Sequence, residues 1–133
     1  MKQINKAVIL IVDDKQANLF ALEHLLAGKD RVILQATDGK SALQIALNKN
    51  INLIILDVQM PDMDGFEVAQ ILQSNKKTKE IPIIFATAER TEHKFMMKGF
   101  DEGAIDYLFK PLDPEVVKAK VDVHLKMQPR EKN

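Results

Sequence analysis

Acidic, hydroxyl and amine side chains follow the apolar runs of this sequence, and their types are suited to chemistry. The residues that directly follow a run are Asp13 and Asp14 after AVILIV, Asp57 after INLIIL, Thr87 after IPIIFA, and Lys110 after IDYLF. Carboxylates that gather at one point repel each other unless a cation lies among them. Oxygen ligands without cysteine favour Mg2+ or Mn2+ over zinc. A carboxylate, such an ion, a lysine and a hydroxyl around one point predict a phosphoryl-transfer site with Asp57 as the nucleophile.

Such a site forms only if the ends of these runs meet, and the pattern of the sequence predicts a fold in which they do. The runs are rich in Ile and Val and mostly lack alternation, as strands buried on both faces of a parallel sheet do; they cover 7–12, 31–36, 51–56, 81–86 and 105–109. A segment with helical features follows each run, including 91–102 after the fourth. Strand and helix in alternation predict an α/β domain with right-handed crossovers and helices on both faces. Ligands of doubly wound sheets bind outside the carboxyl ends of the strands, where the polar residues stand here.

The last helix is predicted to carry apolar residues on two faces. It opens with Asp113 as the N-cap and Pro114 at the first helical position. One apolar face consists of Val117, Val121 and Leu125, and the nearly opposite face consists of Val116, Ala119, Val123 and Met127. Because one face is enough to cover the sheet, the second is a candidate interface.

Composition narrows the class of protein. A chain of 133 residues predicts one domain, and 19 basic against 19 acidic residues give no support for a nucleic-acid or membrane-surface partner. The absence of cysteine excludes disulfides and favours a reducing compartment. The first apolar run, AVILIV, is too short for a signal-peptide core or a membrane span, so we expect a cytoplasmic protein.

Four motifs together resemble the receiver domains of two-component response regulators. They are ILIVDD, LIILDVQMPDMDGFE, PIIFATA and DYLFKPLDPE, and the resemblance spans roughly residues 6–126. It implies a flavodoxin-like (βα)5 three-layer sandwich with a five-stranded parallel sheet in the order 2-1-3-4-5. It also implies a receiver domain over 1–127, with 128–133 as a tail or the start of a linker to an output domain.

The resemblance assigns roles around the acidic residues. Asp57 would accept a phosphoryl group from the phosphohistidine of a histidine kinase or phosphotransfer protein. Asp14 would bind Mg2+ directly, Asp13 mainly through water, and the backbone carbonyl of Gln59 would add a ligand. Gln59 and Glu89 stand at positions where family members vary, and they would tune the lifetime of the phosphoryl group.

The resemblance also implies a conformational switch. Thr87 would donate a hydrogen bond to the bound phosphoryl group, and Lys110 would pair with it. Tyr107 occupies the position of the aromatic switch, and Lys110-Pro111 would be a cis peptide, a conformation that is plausible only before proline. The face formed by the fourth predicted helix, the fifth strand and the fifth predicted helix would then signal to an output domain or partner, or pair two copies of the chain.

Two other functions stay open beside a phosphoacceptor switch with weak self-catalysed phosphorylation and dephosphorylation. The first is a pseudo-receiver that binds partners without phosphorylation, which the complete set of acidic, Thr and Lys residues disfavours. The second is an aspartate-nucleophile phosphatase of the haloacid dehalogenase type. Those enzymes carry D-x-D on the first strand, whereas Asp13 and Asp14 are adjacent here and Asp57 follows the third run.

Overall fold

A parallel sheet of five strands forms the centre of the structure, a computed structural model that describes residues 6–88 and 104–126. The strands are β1 (Ala7–Val12), β2 (Arg31–Ala36), β3 (Leu53–Asp57), β4 (Ile83–Thr87) and β5 (Ala104–Phe109). Their order is β2-β1-β3-β4-β5, and every neighbouring pair is parallel. The predicted strand order is therefore confirmed.

Helices cover both faces of this sheet. In the described part of the chain they are α1 (Gln16–Leu26), α2 (Gly39–Asn48), α3 (Gly65–Gln73) and α4 (Pro114–Lys126). Apolar side chains of α2 and α3 pack on one face of the sheet, and those of α1 and α4 pack on the other. The three-layer sandwich is thus confirmed, while the helix predicted over 91–102 lies outside the described residues. Over the two described ranges, no helix has the length and apolarity needed to cross a membrane.

Strands β3 and β4 begin later than the apolar runs predicted, and each ends on a polar residue. The runs begin at Ile51 and Ile81, whereas the strands are Leu53–Asp57 and Ile83–Thr87. Before β3, the side chain of Asn52 accepts a hydrogen bond from the Val8 N–H at 2.8 Å, in place of a strand carbonyl. Before β4, Pro82 has no N–H to donate to a neighbouring strand. The shift makes Asp57 and Thr87 part of the strands, so the sheet itself fixes their backbones.

Side-chain caps fix where two of the helices begin. Asp64 and Glu67 form a reciprocal capping box at the start of α3, with both side-chain-to-backbone hydrogen bonds at 2.9 Å. At the start of α4 the Asp113 carboxylate accepts a hydrogen bond from the Glu115 N–H at 2.9 Å. Pro114 is the first residue of α4, so the predicted beginning of this helix is confirmed. Such a cap contributes about 1 kcal/mol.

The two apolar faces of α4 differ in burial as predicted. Val117, Val121 and Leu125 are buried against the sheet. Val116 is 42% exposed and Val123 is 51% exposed, and Ala119 on the same face is also exposed. Met127 lies beyond the described residues, so the fourth member of this face and the boundary at residue 127 stay predictions.

Candidate functional site

Three carboxylates meet at the carboxyl ends of β1 and β3. Asp13 and Asp14 follow β1, Asp57 ends β3, and one carboxylate oxygen of each lies within 4.8 Å of the others. The meeting follows from the register, because Val12 pairs with Leu56 and the residue after each of them in the chain is acidic. Asp13 and Asp57 are 3% and 4% exposed, so their negative charges are largely removed from water.

Lys110 places its ammonium group between two of these acids. Its Nζ atom lies 3.0 Å from Asp13 Oδ2 and 3.3 Å from Asp57 Oδ1. The backbone supports this position, since the Lys110 N–H donates to the Thr87 carbonyl at 2.9 Å and ties the end of β5 to the end of β4. The Lys110-Pro111 peptide is cis. One cation therefore serves two buried carboxylates.

The electrostatics of the site leave Asp57 undercompensated. Burial raises the pKa of Asp57 above its ordinary value and the nearby Asp13 charge adds to the rise, while Lys110 and the Gln59 backbone N–H oppose it. Burial would lower the pKa of Lys110, but its hydrogen bond with Asp13 and the charges of Asp57 and Asp13 outweigh burial and raise it. Both shifts point up because Lys110 gains from two acids, whereas Asp57 shares its one cation. A further cation would be stabilised here.

The donor set fits a hard divalent ion. Mg2+ binds oxygen at about 2.1 Å, so ligands on opposite sides of one ion are about 4.2 Å apart. The 4.8 Å limit on the spacing of the three carboxylate oxygens therefore allows direct or water-bridged binding to one ion. Both oxygens of Asp13 already accept hydrogen bonds, Oδ1 from the Lys15 N–H at 2.9 Å and Oδ2 from Lys110 at 3.0 Å. The site thus has oxygen ligands of the kind Mg2+ takes, with Asp13 the most restrained of them.

Asn18 also belongs to this site, and the sequence did not identify it. Its Nδ2 atom donates to Asp13 Oδ2 at 3.0 Å from the first turn of α1. A sequence signal existed, because Asn18 stands beside Leu19 in the helix that follows the acid pair, within its first turn. A polar residue facing back from that turn can reach the end of β1.

Thr87 and Tyr107 lie deeper than the acids. Thr87 is fully buried at the end of β4, and Asp57 pairs with the residue before it. Tyr107 is 1% exposed, with its ring centroid 5.7 Å from that of Phe85. It is stacked on Phe109 at 6.0 Å with an interplanar angle of 6°. The ring of Tyr107 is therefore inside the protein, packed between aromatic neighbours.

The loop between β3 and α3 folds closely against Asp57. A Cβ atom at Gly65 would lie 2.4 Å from the Asp57 carbonyl oxygen, and the Gly65 N–H donates to the Val58 carbonyl at 2.8 Å. Asp62 adopts a positive φ of 71° within this loop, a conformation that Asp tolerates better than most residues. Gln59 is exposed in the same loop, next to the acid cluster in sequence. Glu89, the other predicted tuning residue, is outside the described part of the chain.

A second charged cluster, formed by Asp106, Lys120 and His124, joins β5 to α4. Asp106 Oδ1 lies 2.9 Å from Lys120 Nζ, and Oδ2 lies 3.0 Å from His124 Nε2. Lys120 also donates to the Tyr107 carbonyl at 2.8 Å. Burial would raise the pKa of Asp106, but these hydrogen bonds outweigh it and lower the pKa. Sequence spacing could have indicated the cluster, because Lys120 and His124 are one helical turn apart.

Comparisons with known proteins agree with this geometry. A family model described as the response regulator receiver domain matches residues 9–122. A chemotaxis protein of Vibrio cholerae, CheY4, has a solved structure that is 31% identical in sequence, with a TM-score of 0.83. That similarity covers 89% of this chain and 98% of the CheY4 chain.

Curated relatives are longer than this chain. A probable cyclic di-GMP phosphodiesterase of Vibrio cholerae is 38% identical over 125 residues, which cover 94% of this chain and 28% of the relative. The DNA-binding dual master transcriptional regulator RpaA of Synechocystis is 38% identical over 124 residues, which cover 92% of this chain and 50% of the relative. The chain thus spans between about a quarter and a half of the curated relatives it matches.

Proposed function

The chain belongs to the receiver-domain family of two-component response regulators, and on that premise we propose that Asp57 is its phosphoacceptor. One observation carries the proposal. Asp57 is a buried carboxylate at the end of β3, clustered with Asp13 and Asp14 and 3.3 Å from the Lys110 ammonium. These are the groups that a phosphoryl transfer to a carboxylate requires at one point.

The proposed transfer takes a phosphoryl group from a phosphohistidine of a histidine kinase or phosphotransfer protein. A carboxylate oxygen of Asp57 attacks phosphorus, the new O–P bond forms, and the N–P bond to imidazole breaks. The electron pair of the broken bond stays on the imidazole nitrogen. No protein base is needed, because an ionised Asp57 has no proton to lose. The product is an aspartyl-phosphate, a mixed anhydride that water hydrolyses.

The remaining residues stabilise charge in this proposal. Lys110 turns its hydrogen bonds from the acids to the phosphoryl oxygens, and the Thr87 hydroxyl donates to the same group. Asp14 and Asp57 would hold Mg2+ or Mn2+ together with the carbonyl of Gln59, and Asp13 would contact the ion through water. When bound, the ion neutralises charge on the transferring group. The restraint of Asp13 by hydrogen-bond donors at both oxygens supports its water-mediated role.

Phosphorylation would switch the surface near β5 and α4. The new group adds roughly one negative charge and three acceptor oxygens, by analogy with hydroxyl phosphorylation. Thr87 and Lys110 would move together, because their backbones share a hydrogen bond. Packing between Phe85 and Phe109 already favours the inward ring of Tyr107, and we propose that phosphorylation favours it further.

We propose that the exposed face of α4 carries the signal to an output domain, a partner protein or a second copy of the chain. The support is its apolar surface, with Val116 at 42% and Val123 at 51% exposure and Ala119 between them. The enzymatic and DNA-binding names of the longer relatives are compatible with either kind of output domain. Signalling from a histidine kinase also supports the proposed cytoplasmic location.

Incubation with acetyl phosphate and Mg2+, followed by intact mass and hydroxylamine treatment, tests the phosphoacceptor. We expect one phosphoryl group that hydroxylamine removes, and no label on an Asp57→Asn variant. Asp62→Asn is the matched control, because it makes the same change in the loop that follows β3 and Asn also tolerates a positive φ. A label that survives Asp57→Asn, or a wild-type protein that stays unlabelled, would refute the proposal.

Beryllofluoride separates a switch from a pseudo-receiver. A receiver site should bind it only with Mg2+, and calorimetry would report the binding. Binding that is absent in the folded wild-type protein would favour a module that works without phosphorylation.

A further inference from the structure

Asn18 lies at the border between the acid cluster and an apolar cavity. The cavity holds about 350 Å3, and its polar end is formed by Asp13, Asn18 and Lys110. The rest is lined by apolar side chains of α1, of the strands β1, β3 and β4, and of the chain around the start of α4. Asn18 is half-buried there, and it reaches out of the cavity wall to Asp13 Oδ2 at 3.0 Å. It is the one side-chain amide among the residues that line this cavity.

The direction of this hydrogen bond is fixed by charge. An ionised carboxylate only accepts hydrogen bonds, so the Asn18 NH2 group faces Asp13 and the amide oxygen faces away. Hydrogen bonds that involve a charged partner are stronger than neutral ones. Asn18 and Lys110 both donate to the same atom, Asp13 Oδ2, at the same distance of 3.0 Å.

Lys110 and Asn18 have different roles in the proposed transfer. Lys110 also contacts Asp57, and in the phosphoacceptor proposal it turns to the phosphoryl group. Asp13 Oδ2 then loses one donor, in a carboxylate that is only 3% exposed. Leaving a buried acceptor without a hydrogen-bond donor costs free energy. An Asp13 carboxylate that lost both donors would rotate or draw the metal ion toward itself. Asn18 takes no part in the transfer and stays in place on α1.

We propose that Asn18 is a positioning residue, whose side-chain amide holds Asp13 in the orientation that the metal site requires while Lys110 serves the phosphoryl group. The inference rests on the proposed function and adds a residue to it. Asn18 touches neither the phosphoryl group nor the ion in this arrangement. It acts through Asp13, as the hydrogen-bond partners of metal ligands do.

Asn18→Leu tests the inference, because leucine has a similar size and no donor. Loss of an outer hydrogen-bond partner lowers metal affinity by about tenfold or more, so we expect the Kd for Mg2+ to rise by about tenfold. Mn2+ titration followed by electron paramagnetic resonance measures the corresponding Kd for Mn2+ without phosphorylation, and we expect it to rise in the same way. The Mg2+ concentration for half-maximal labelling by acetyl phosphate should rise in parallel, while the rate at saturating Mg2+ stays close to wild type.

Gln16→Leu is the control, since Gln16 is an exposed residue at the start of the same helix. An Asn18→Leu protein that is folded and binds Mg2+ within twofold of the control overturns the inference. A fall in the saturated rate at unchanged Mg2+ affinity also overturns it, because positioning the metal ligand predicts the opposite pattern.

A measurement on the unaltered protein covers a variant that does not fold. The side-chain amide protons of Asn18 should exchange more slowly than those of exposed Asn50, with Mg2+ alone and with Mg2+ and beryllofluoride. Equal exchange rates would overturn the inference. If wild-type protein takes neither label nor beryllofluoride, the phosphoacceptor proposal fails, and the Mg2+ affinities still decide the role of Asn18.

Discussion

Lys110 Nζ lies 3.3 Å from Asp57 Oδ1, so a side chain from the end of β5 places its ammonium beside the acids at the ends of β1 and β3. It offsets part of the cost of burying Asp57 and Asp13 at one point. The same ammonium is the group that a phosphoryl oxygen would attract. Lys110 cannot compensate the two acids and bind a phosphoryl oxygen fully at the same time. A divalent ion can compensate the acids in its place.

Lys110→Met should make stability depend more strongly on Mg2+. The variant keeps an apolar stem and removes the charge, which leaves two buried carboxylates without their cation. We expect the free energy of unfolding to fall by about 2 kcal/mol at neutral pH without Mg2+. Saturating Mg2+ should restore most of it, so the gain from Mg2+ is larger than in wild type. Denaturant unfolding with and without Mg2+ measures both gains, with exposed Lys118→Met as the control. Equal gains would contradict the shared role of Lys110.

Asp57→Asn should stabilise the metal-free protein at neutral pH. The pKa of Asp57 is raised by burial, so the folded state holds its proton more tightly than the unfolded chain. Its contribution to stability is fully present below the ordinary value of 3.8 and is lost as pH rises through the raised pKa. The variant escapes this loss, so its advantage should be absent at low pH and reach about 1 kcal/mol at neutral pH, or about 4 °C in midpoint. Thermal unfolding across pH checks this, and an advantage that grows toward low pH would contradict it.

The sequence predicted the architecture because helices cover both faces of the sheet, so nearly every position of its strands is apolar. Runs such as those of β1 and β3 have no alternation, which is typical of strands covered on both sides. Once the strands are parallel, their carboxyl ends share one edge, so Asp13, Asp57 and Lys110 come together. Neither the alternation of strand and helix nor this meeting depends on fine packing, so the pattern was sufficient for both, whereas the strand order was implied by the resemblance to receiver domains.

The pattern failed where single hydrogen bonds decide the outcome. The Asn52 side chain replaces a strand carbonyl at the start of β3, and the periodicity of the sequence does not predict this hydrogen bond. The bond from Asn18 to Asp13 depends on how the first turn of α1 faces the sheet. The burial of Tyr107 between Phe85 and Phe109 depends on side-chain packing in the same way. Such contacts join residues far apart in sequence or across an element boundary, where residue spacing carries little information.

Asp14→Asn should weaken Mg2+ binding far more than Asp62→Asn. Both changes remove one acid near the site, but only Asp14 belongs to the carboxylate cluster, whereas Asp62 is exposed in the loop. A neutral amide is a poorer ligand for a hard cation, so we expect at least about a tenfold rise in Kd for Asp14→Asn and less than about twofold for Asp62→Asn. Calorimetric titration at fixed ionic strength measures both constants. Similar losses would show that general negative charge, and not the cluster, attracts the ion.

Gly65→Ala should disturb the site, whereas Gly28→Ala should not. The new Cβ at residue 65 would lie 2.4 Å from the Asp57 carbonyl oxygen and 2.9 Å from the Val58 Cα, and backbone cannot yield as a side chain does. At Gly28 the nearest atom is 3.6 Å away, an ordinary contact. We expect Gly65→Ala to cost about 1–3 kcal/mol of unfolding free energy and to weaken Mg2+ binding. Gly28→Ala should be neutral or stabilise by up to about 1 kcal/mol. Equal stabilities of the two variants would contradict the close approach of the loop to Asp57.

Lysine at Val116 and Val123 together should weaken association without unfolding the protein. Both valines are on the exposed face of α4, and with Ala119 they repeat at spacings that let two helices pack along a seam. Because neither residue packs in the core, the double change should alter unfolding free energy by less than about 1 kcal/mol. We expect any dimer formed with Mg2+ and beryllofluoride to shift toward monomer, because burying two lysines in a helix pair is unfavourable. Sedimentation analysis measures the shift.

Ile71→Lys is the control for this surface. Ile71 is 43% exposed on α3, so the change replaces an exposed apolar residue on a different helix. The control should leave the mass unchanged under all conditions. If the double variant and the control associate equally, the exposed face of α4 does not join two copies of the chain. If the wild-type protein is monomeric throughout, the same face must serve a different protein or an output domain, and the double variant should then reduce that contact instead. The test therefore separates self-association from signalling to another partner. The exposure of this face of α4 is compatible with both.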